Sequence, residues 1–321
     1  MSNLPIELRN TSPWPWRANA AVLAALALVA YMLATGHPGD LGATVQRELR
    51  GPLLFLVSVQ SLVIIPLIFL AERVIPADPT QRSFSPSVIV DGFMMMVLFP
   101  ATHGIAIVAT RPVGHWLDAH AGFLVLNATR SWPLWPSVIL GVLIGDLGAY
   151  VVHLIKHQVP WFWRFHAVHH SQVHLTYFTT NKIHPFDYVI EHAVLFVPFF
   201  FLLPEVTEQP RAVTVLTLAL LWFRAPQHAN VRVNLGPLRW FMVSPQNHRI
   251  HHSADPAHYN SNYSSLFTWD RLFGTQHPDE VSYPPTGIGD PDYPEPRSYR
   301  PQDLLSSVTA QLLYPFAARR T

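Results

Sequence analysis

Hydrophobic positions in this chain come in long blocks rather than short alternations, and the blocks predict helices. Residues 52–71 hold no charged side chain, and about twenty such residues suffice to cross a hydrocarbon core. An apolar block at 18–35 follows Trp14 and Trp16, which suit the headgroup belt of a retained membrane helix. A cleaved signal peptide is the competing reading, disfavoured because the leading segment is only weakly basic and further spans follow. Residues 88–109 are apolar but interrupted by Asp91, Pro100 and His103, which predicts a third span or a broken helix. His103 is read there as a buried, hydrogen-bonded histidine. Residues 111–130 are mixed and are expected to skirt the surface.

Residues 133–156 predict a further helix, with Gly141 and Gly145 supplying the small-residue spacing that lets membrane helices approach. Its second half places Asp146, Tyr150, His153 and His157 on one stripe. Asp146 there either pairs with an arginine or orients an imidazole. Pro160 ends the helix, and Trp161, Phe162 and Trp163 read as an interfacial anchor. After a turn at 181–185, residues 188–203 form an apolar stretch in which Glu191 and His192 read as a polar face turned to the bundle. Residues 212–223 are too short to cross alone and predict a hairpin with their neighbour. From Pro237 the chain turns polar, and beyond Asp279 prolines predict an irregular tail with a short helix at 304–313.

Composition supports a bilayer setting, because half of the 321 residues are apolar and 13% are charged. Net charge is +1, without a basic block or aromatic-basic stripe, so nothing points to nucleic acid as a partner. The absence of cysteine excludes disulfides, thiolate zinc and cysteine-bound iron-sulfur clusters.

The chemistry lies in the histidines. His153 and His157 are four apart, and His166, His169 and His170 share a His-x-x-His-His spelling with His248, His251 and His252. On helices each cluster can aim its rings at one point. Scattering 18 histidines at random would give roughly 0.06 such words per chain, so two copies are a specific signal. Eight convergent imidazoles exceed what one ion needs and suggest two metals with room for a small molecule. Nitrogen ligands beside a bilayer favour redox work on a lipid over hydrolysis. A membrane zinc hydrolase would ordinarily need a carboxylate base, and the His-Glu-x-x-His word is absent. A metal-ion transporter would place its site at mid-bilayer on broken helices, whereas these clusters are flanked by polar loops.

Taken in order, Asp146, Tyr150, His153, His157, residues 166–170, His184-Pro185, residues 248–252, Asn262-Tyr263 and the run Trp269 to Thr275 resemble the fatty acid hydroxylase superfamily, with its sterol desaturases and sphingolipid or fatty acid hydroxylases. The likeness covers residues 134–277. Lys182 stands where an arginine is common and Ser264 where many relatives have glycine. The resemblance implies an all-α, multi-pass integral membrane bundle of about four transmembrane helices, some as hairpins, with a cytosolic histidine-rich helical cap holding the active site. It divides the chain into membrane helices and loops at 1–132, a catalytic domain at 133–280 and a tail at 281–321. It also implies two iron ions, which zinc can replace in preparations, with dioxygen as co-substrate. The eight clustered histidines would be ligands, joined by His184 and His228, with no catalytic residue beyond them; His174 has no assigned role. The expected activity is hydroxylation of a lipid-like substrate with electrons from a cytochrome b5-type or ferredoxin-type donor, desaturation being the alternative.

Overall fold

The computed structural model describes residues 60–125, 132–202, 224, 226–279 and 281–317, and among these it is all-helical, without a β-strand. The apolar blocks at 18–35 and 212–223, and residues 52–59, lie outside the described residues. A π-helical turn, Gln60–Ile64, leads into α1 (Ile65–Val74). Helix α2 (Pro86–Phe93) starts at Ser85, whose side chain accepts from the Val88 N–H, with Pro86 in the first turn where its missing donor costs nothing. It continues through a π-helical turn, Met94–Leu98, into α3 (Phe99–Ala121). The turn stands just before Pro100, which cannot donate to the preceding turn, so the expected interruption is a local widening of one long helix.

Helix α3 also carries Pro112 and runs to Ala121, so residues 111–121, which skirt the surface as expected with only Leu117 buried, are helical. The reason is packing: α6 lies along this stretch, and a Cβ on Gly114 would sit 3.2 Å from Phe196. Helix α4 (Leu134–Gln158) and α5 (Pro160–His170) are separated at Val159-Pro160, as the proline predicted. Helix α6 (Pro185–Leu202) begins directly at Pro185. Where α4 meets α6 the small residue is Gly148, whose added Cβ would approach Leu195 to 2.8 Å. Among the described residues three segments, Pro86–Leu124, Trp135–Gln158 and Pro185–Leu202, are long and apolar enough to cross a membrane.

The polar part supplies short helices, α7 (Pro245–His251), α8 (Trp269–Phe273) and α9 (Pro301–Leu313). Ser244 caps α7 by accepting from Asn247 N at 3.1 Å. Helix α9 packs its Val308 with Val90, Met94 and Val168, fastening the tail across α2 and α5.

Candidate metal centre

Among the described residues nine histidines fall into two groups, and within each group the potential ligand atoms lie within 4.8 Å of one another. The first holds His153 and His157 from α4, His166 and His170 from α5, and His251 from α7. The second holds His169 from α5, His228 from the turn after residue 226, and His248 and His252 at the end of α7. Each His-x-x-His-His copy is therefore divided, not aimed at one point. Residues four apart on a helix sit about 40° apart in projection while adjacent residues diverge by about 100°. Hence 166 and 170 point together while 169 crosses to the other group, and 248 with 252 leaves 251 to the first. The groups touch, with the rings of His170 and His252 stacked at 4.2 Å.

Backbone carbonyls fix the imidazole tautomers. His153 Nδ1 meets Tyr263 O at 2.7 Å, His251 Nδ1 meets Ser261 O at 2.8 Å, and His169 Nδ1 meets Lys182 O at 3.1 Å. A carbonyl only accepts, so each Nδ1 carries the proton and each Nε2 a lone pair. Yet His251 Nε2 lies 3.0 Å from His153 Nε2. Two lone pairs at that distance are not a hydrogen bond; a cation between them would satisfy both. The Nε2 atoms of His157, His166, His170 and His252 are likewise buried without a partner. His228 Nε2 sits 2.9 Å from His248 Nε2 and 3.3 Å from His169 Nε2. Burial holds His166, His169, His170, His228, His248 and His252 below the ordinary imidazole range, and His251 down to about 3, so these rings are neutral donors of lone pairs. A soft-to-borderline divalent ion in each group fits this donor set.

The Asn262-Tyr263 and Trp269 to Thr275 words explain how the carbonyls are aimed. Asn262 adopts a left-handed backbone, φ 59°, between Ser261 and Tyr263. Asp270 accepts from Tyr263 N and Ser264 N, both at 2.8 Å, and Asn262 Oδ1 accepts from His277 N at 2.8 Å. Gly274, φ 77°, closes α8. Among the described residues Asp146 orients no imidazole; its carboxylate accepts from Leu266 N, Phe267 N and Trp269 Nε1 at 2.8–2.9 Å, with the Arg224 charge in electrostatic reach.

His184 lies outside both groups. Its Nδ1 accepts from Phe186 N and its Nε2 faces Leu312 O at 3.1 Å, so neither nitrogen is turned to the centre. His103 bonds Tyr188 Oη at 2.8 Å, and His174 also stands apart. Sequence reasoning missed Asp187, which accepts from His166 Nδ1 at 3.1 Å and from Lys156 Nζ at 2.8 Å, while Lys156 also meets Glu191. It also missed Trp163, whose ring lies 5.0 and 5.3 Å from His157 and His170 and walls the first group. The Trp163 reading as an interfacial anchor overlooked that α5 turns it inward.

Helices of membrane-spanning length joined to two facing groups of buried histidines define the class of histidine-box membrane proteins. Residues 138–275 match the fatty acid hydroxylase family model. The chain is 37% identical over 151 residues to an ornithine lipid hydroxylase of Rhizobium tropici, covering 46% of this chain and 44% of that one. It is 33% identical over 150 residues to an alkylglycerol monooxygenase of Xenopus tropicalis, covering 46% and 31%, and 28% identical over 171 residues to human cholesterol 25-hydroxylase, covering 50% and 58%. The matches thus span less than two thirds of these relatives. No solved structure gives a significant match.

Proposed function

We propose that this chain is a multi-pass integral membrane di-iron oxygenase that hydroxylates a lipid, with dioxygen as co-substrate and electrons from an external donor of cytochrome b5 or ferredoxin type. The observation that carries it is the face-to-face Nε2 lone pairs of His153 and His251, 3.0 Å apart, with both Nδ1 protons committed to carbonyls. The ligands would be His153, His157, His166, His170 and His251 for one ion, and His169, His228, His248 and His252 for the other. Residues 133–280 would form the catalytic domain, behind membrane helices at 1–132 and before the tail at 281–321, with the site on the cytosolic side. The names of the relatives, all enzymes that hydroxylate or oxygenate lipids, support a lipid substrate.

Iron held there would supply dioxygen activation and removal of hydrogen from an unactivated carbon, which no protein side chain can do. The protein's part is electrostatic and positional. Ser261, Tyr263 and Lys182 carbonyls and the Asp187 carboxylate keep the Nδ1 protons of His251, His153, His169 and His166 turned outward, leaving their Nε2 lone pairs inward. Tyr263, fully buried, and Trp163 line the first group and restrict water, which protects reactive species from side reactions.

The test is oxygen-18 incorporation. Protein in lipid nanodiscs, loaded with ferrous iron and supplied with a reductant, is expected to bind about two ions per chain and place one labelled oxygen from dioxygen in a hydroxylated lipid. One ion or none, or label arriving from water, would overturn the assignment. His251→Ala should abolish turnover while the helices remain inserted.

A further inference from the structure

Asp146 stands midway along α4, in a segment apolar enough to cross a membrane, and what its carboxylate holds is the non-helical backbone of Leu266 and Phe267 together with the indole of Trp269 at the start of α8. A charge at that depth is costly unless its acceptors are filled. Here they are filled by two amides and an indole. The adjoining backbone is also satisfied internally: Val243 N donates to Leu266 O at 2.9 Å, Thr268 N to Phe241 O at 3.2 Å, and Thr268 Oγ1 to Trp240 O at 2.7 Å. Irregular chain can lie at membrane depth when its polar groups are met by protein.

The side chains these segments present outward are apolar. Phe241 is 70% exposed, Leu272 71%, Trp240 57% and Phe273 54%. Two arginines, Arg239 and Arg271, flank these residues in the chain, and Arg271 lays its guanidinium 4.1 Å over the Trp240 ring, the arrangement in which an arginine shares an apolar surface. Trp135, Ile139, Asp146 and Tyr150 occupy one stripe of α4. The polar segment covers the upper half of that stripe, with Phe273 stacked on Tyr150 at 5.4 Å, while Ile139 and Trp135 below stay 59% and 61% exposed. Measured from Trp135, Asp146 lies roughly 16 Å and Tyr150 roughly 22 Å along the helix at 1.5 Å per residue. Both distances fall short of the roughly 30 Å thickness of a hydrocarbon core.

We infer that Trp240, Phe241, Leu272 and Phe273 form a wedge immersed in the acyl region of the leaflet beside α4, with lipid chains as its occupant. The inference rests on α4 being a membrane span and adds that a non-helical part of the polar domain is sunk alongside it. Asp146 is then the group that makes this immersion possible, by supplying the acceptors that water would otherwise provide.

The chain contains no cysteine, so single cysteines can be placed without competition. Phe241→Cys, Leu272→Cys, Ile139→Cys on the bare half of the α4 stripe, and Ala257→Cys beside the exposed Asp255 are each labelled with a nitroxide. The full chain is put in nanodiscs of phosphatidylcholine and phosphatidylglycerol, and collision with oxygen is compared with collision with a water-soluble nickel chelate. At 241, 272 and 139 oxygen collisions are expected to exceed nickel collisions several-fold, with the order reversed at 257. Nickel-dominated labels at 241 and 272 beside an oxygen-dominated label at 139 overturn the wedge and leave α4 a span. A nickel-dominated label at 139 overturns the span, and the wedge with it. Labels at 241 and 272 shielded from both reagents mean that protein, such as a second copy of this chain, covers the patch, which also overturns lipid as the occupant.

Discussion

Asp187 holds His166 with a carboxylate where His153, His169 and His251 are held by backbone carbonyls. Its second oxygen takes Lys156 Nζ, and Lys156 sits on α4 between His153 and His157, so one buried ion pair ties together the three helices α4, α5 and α6 around the first group. Asp187→Asn keeps the shape and removes the charge. It is expected to cost about 1–3 kcal/mol of stability, since a charge-assisted hydrogen bond is lost while Lys156 keeps Glu191. Metal affinity at the first group should fall about 10–100-fold, read as one ion per chain instead of two after dialysis against a chelator. Full retention of both ions would show that the carboxylate is dispensable for holding metal. The residue identities were legible in the sequence to different degrees, for physical reasons. The two His-x-x-His-His words announced themselves by spacing. The carbonyls of Ser261 and Tyr263 could not, because a backbone oxygen has no letter of its own. His184 matched the family pattern, but a local Phe186 N–H occupies the nitrogen that a metal would need.

At the scale of elements, the short helix α8 acts as a bracket rather than a packing unit. Asp270 accepts the Tyr263 and Ser264 N–H groups, and Asp146 of α4 takes those of Leu266 and Phe267, so the loop bearing two orienting carbonyls is pinned from both sides. Asp270→Asn exchanges one acceptor for a donor facing another donor. A loss of about 2–3 kcal/mol is expected, the penalty of a buried N–H left unmet, seen as a lowered midpoint of thermal unfolding in detergent. Because the loop serves His153 and His251, both in the first group, metal should leave that group before the second; equal loss from both would argue against the bracket. Apolar block length located α4 and α6 to within a few residues, since a 3.6-residue repeat of apolar positions needs no partner to be recognised. It placed residues 111–121 of α3 at the surface, where most of them are exposed, but not in a helix, which the packing of α6 against Gly114 supports despite Pro112.

For the molecule as a whole, the histidine-bearing segments and the helices of membrane-spanning length should differ in what metal removal does to them. Nine imidazoles, eight of them buried, converge with lone pairs inward, and their burial is favourable only while cations satisfy them. The helices α3, α4 and α6 satisfy their backbone within themselves and need no ion for that. Binding that is confined to the folded state stabilises it by RT ln(1 + [L]/Kd), about 4 kcal/mol at a thousandfold excess over Kd. Stripping the metal with a strong chelator is therefore expected to lower the unfolding midpoint by several degrees. Far-ultraviolet circular dichroism should lose little helix, while limited proteolysis should begin to cut within 226–300, the stretch that carries His228, His248, His251 and His252 together with the loop that orients them. Restoring ferrous iron should reverse both changes. If the chelated protein resists protease as well as the loaded one, the histidine groups are held closed by the surrounding packing alone, and metal contributes nothing to the fold.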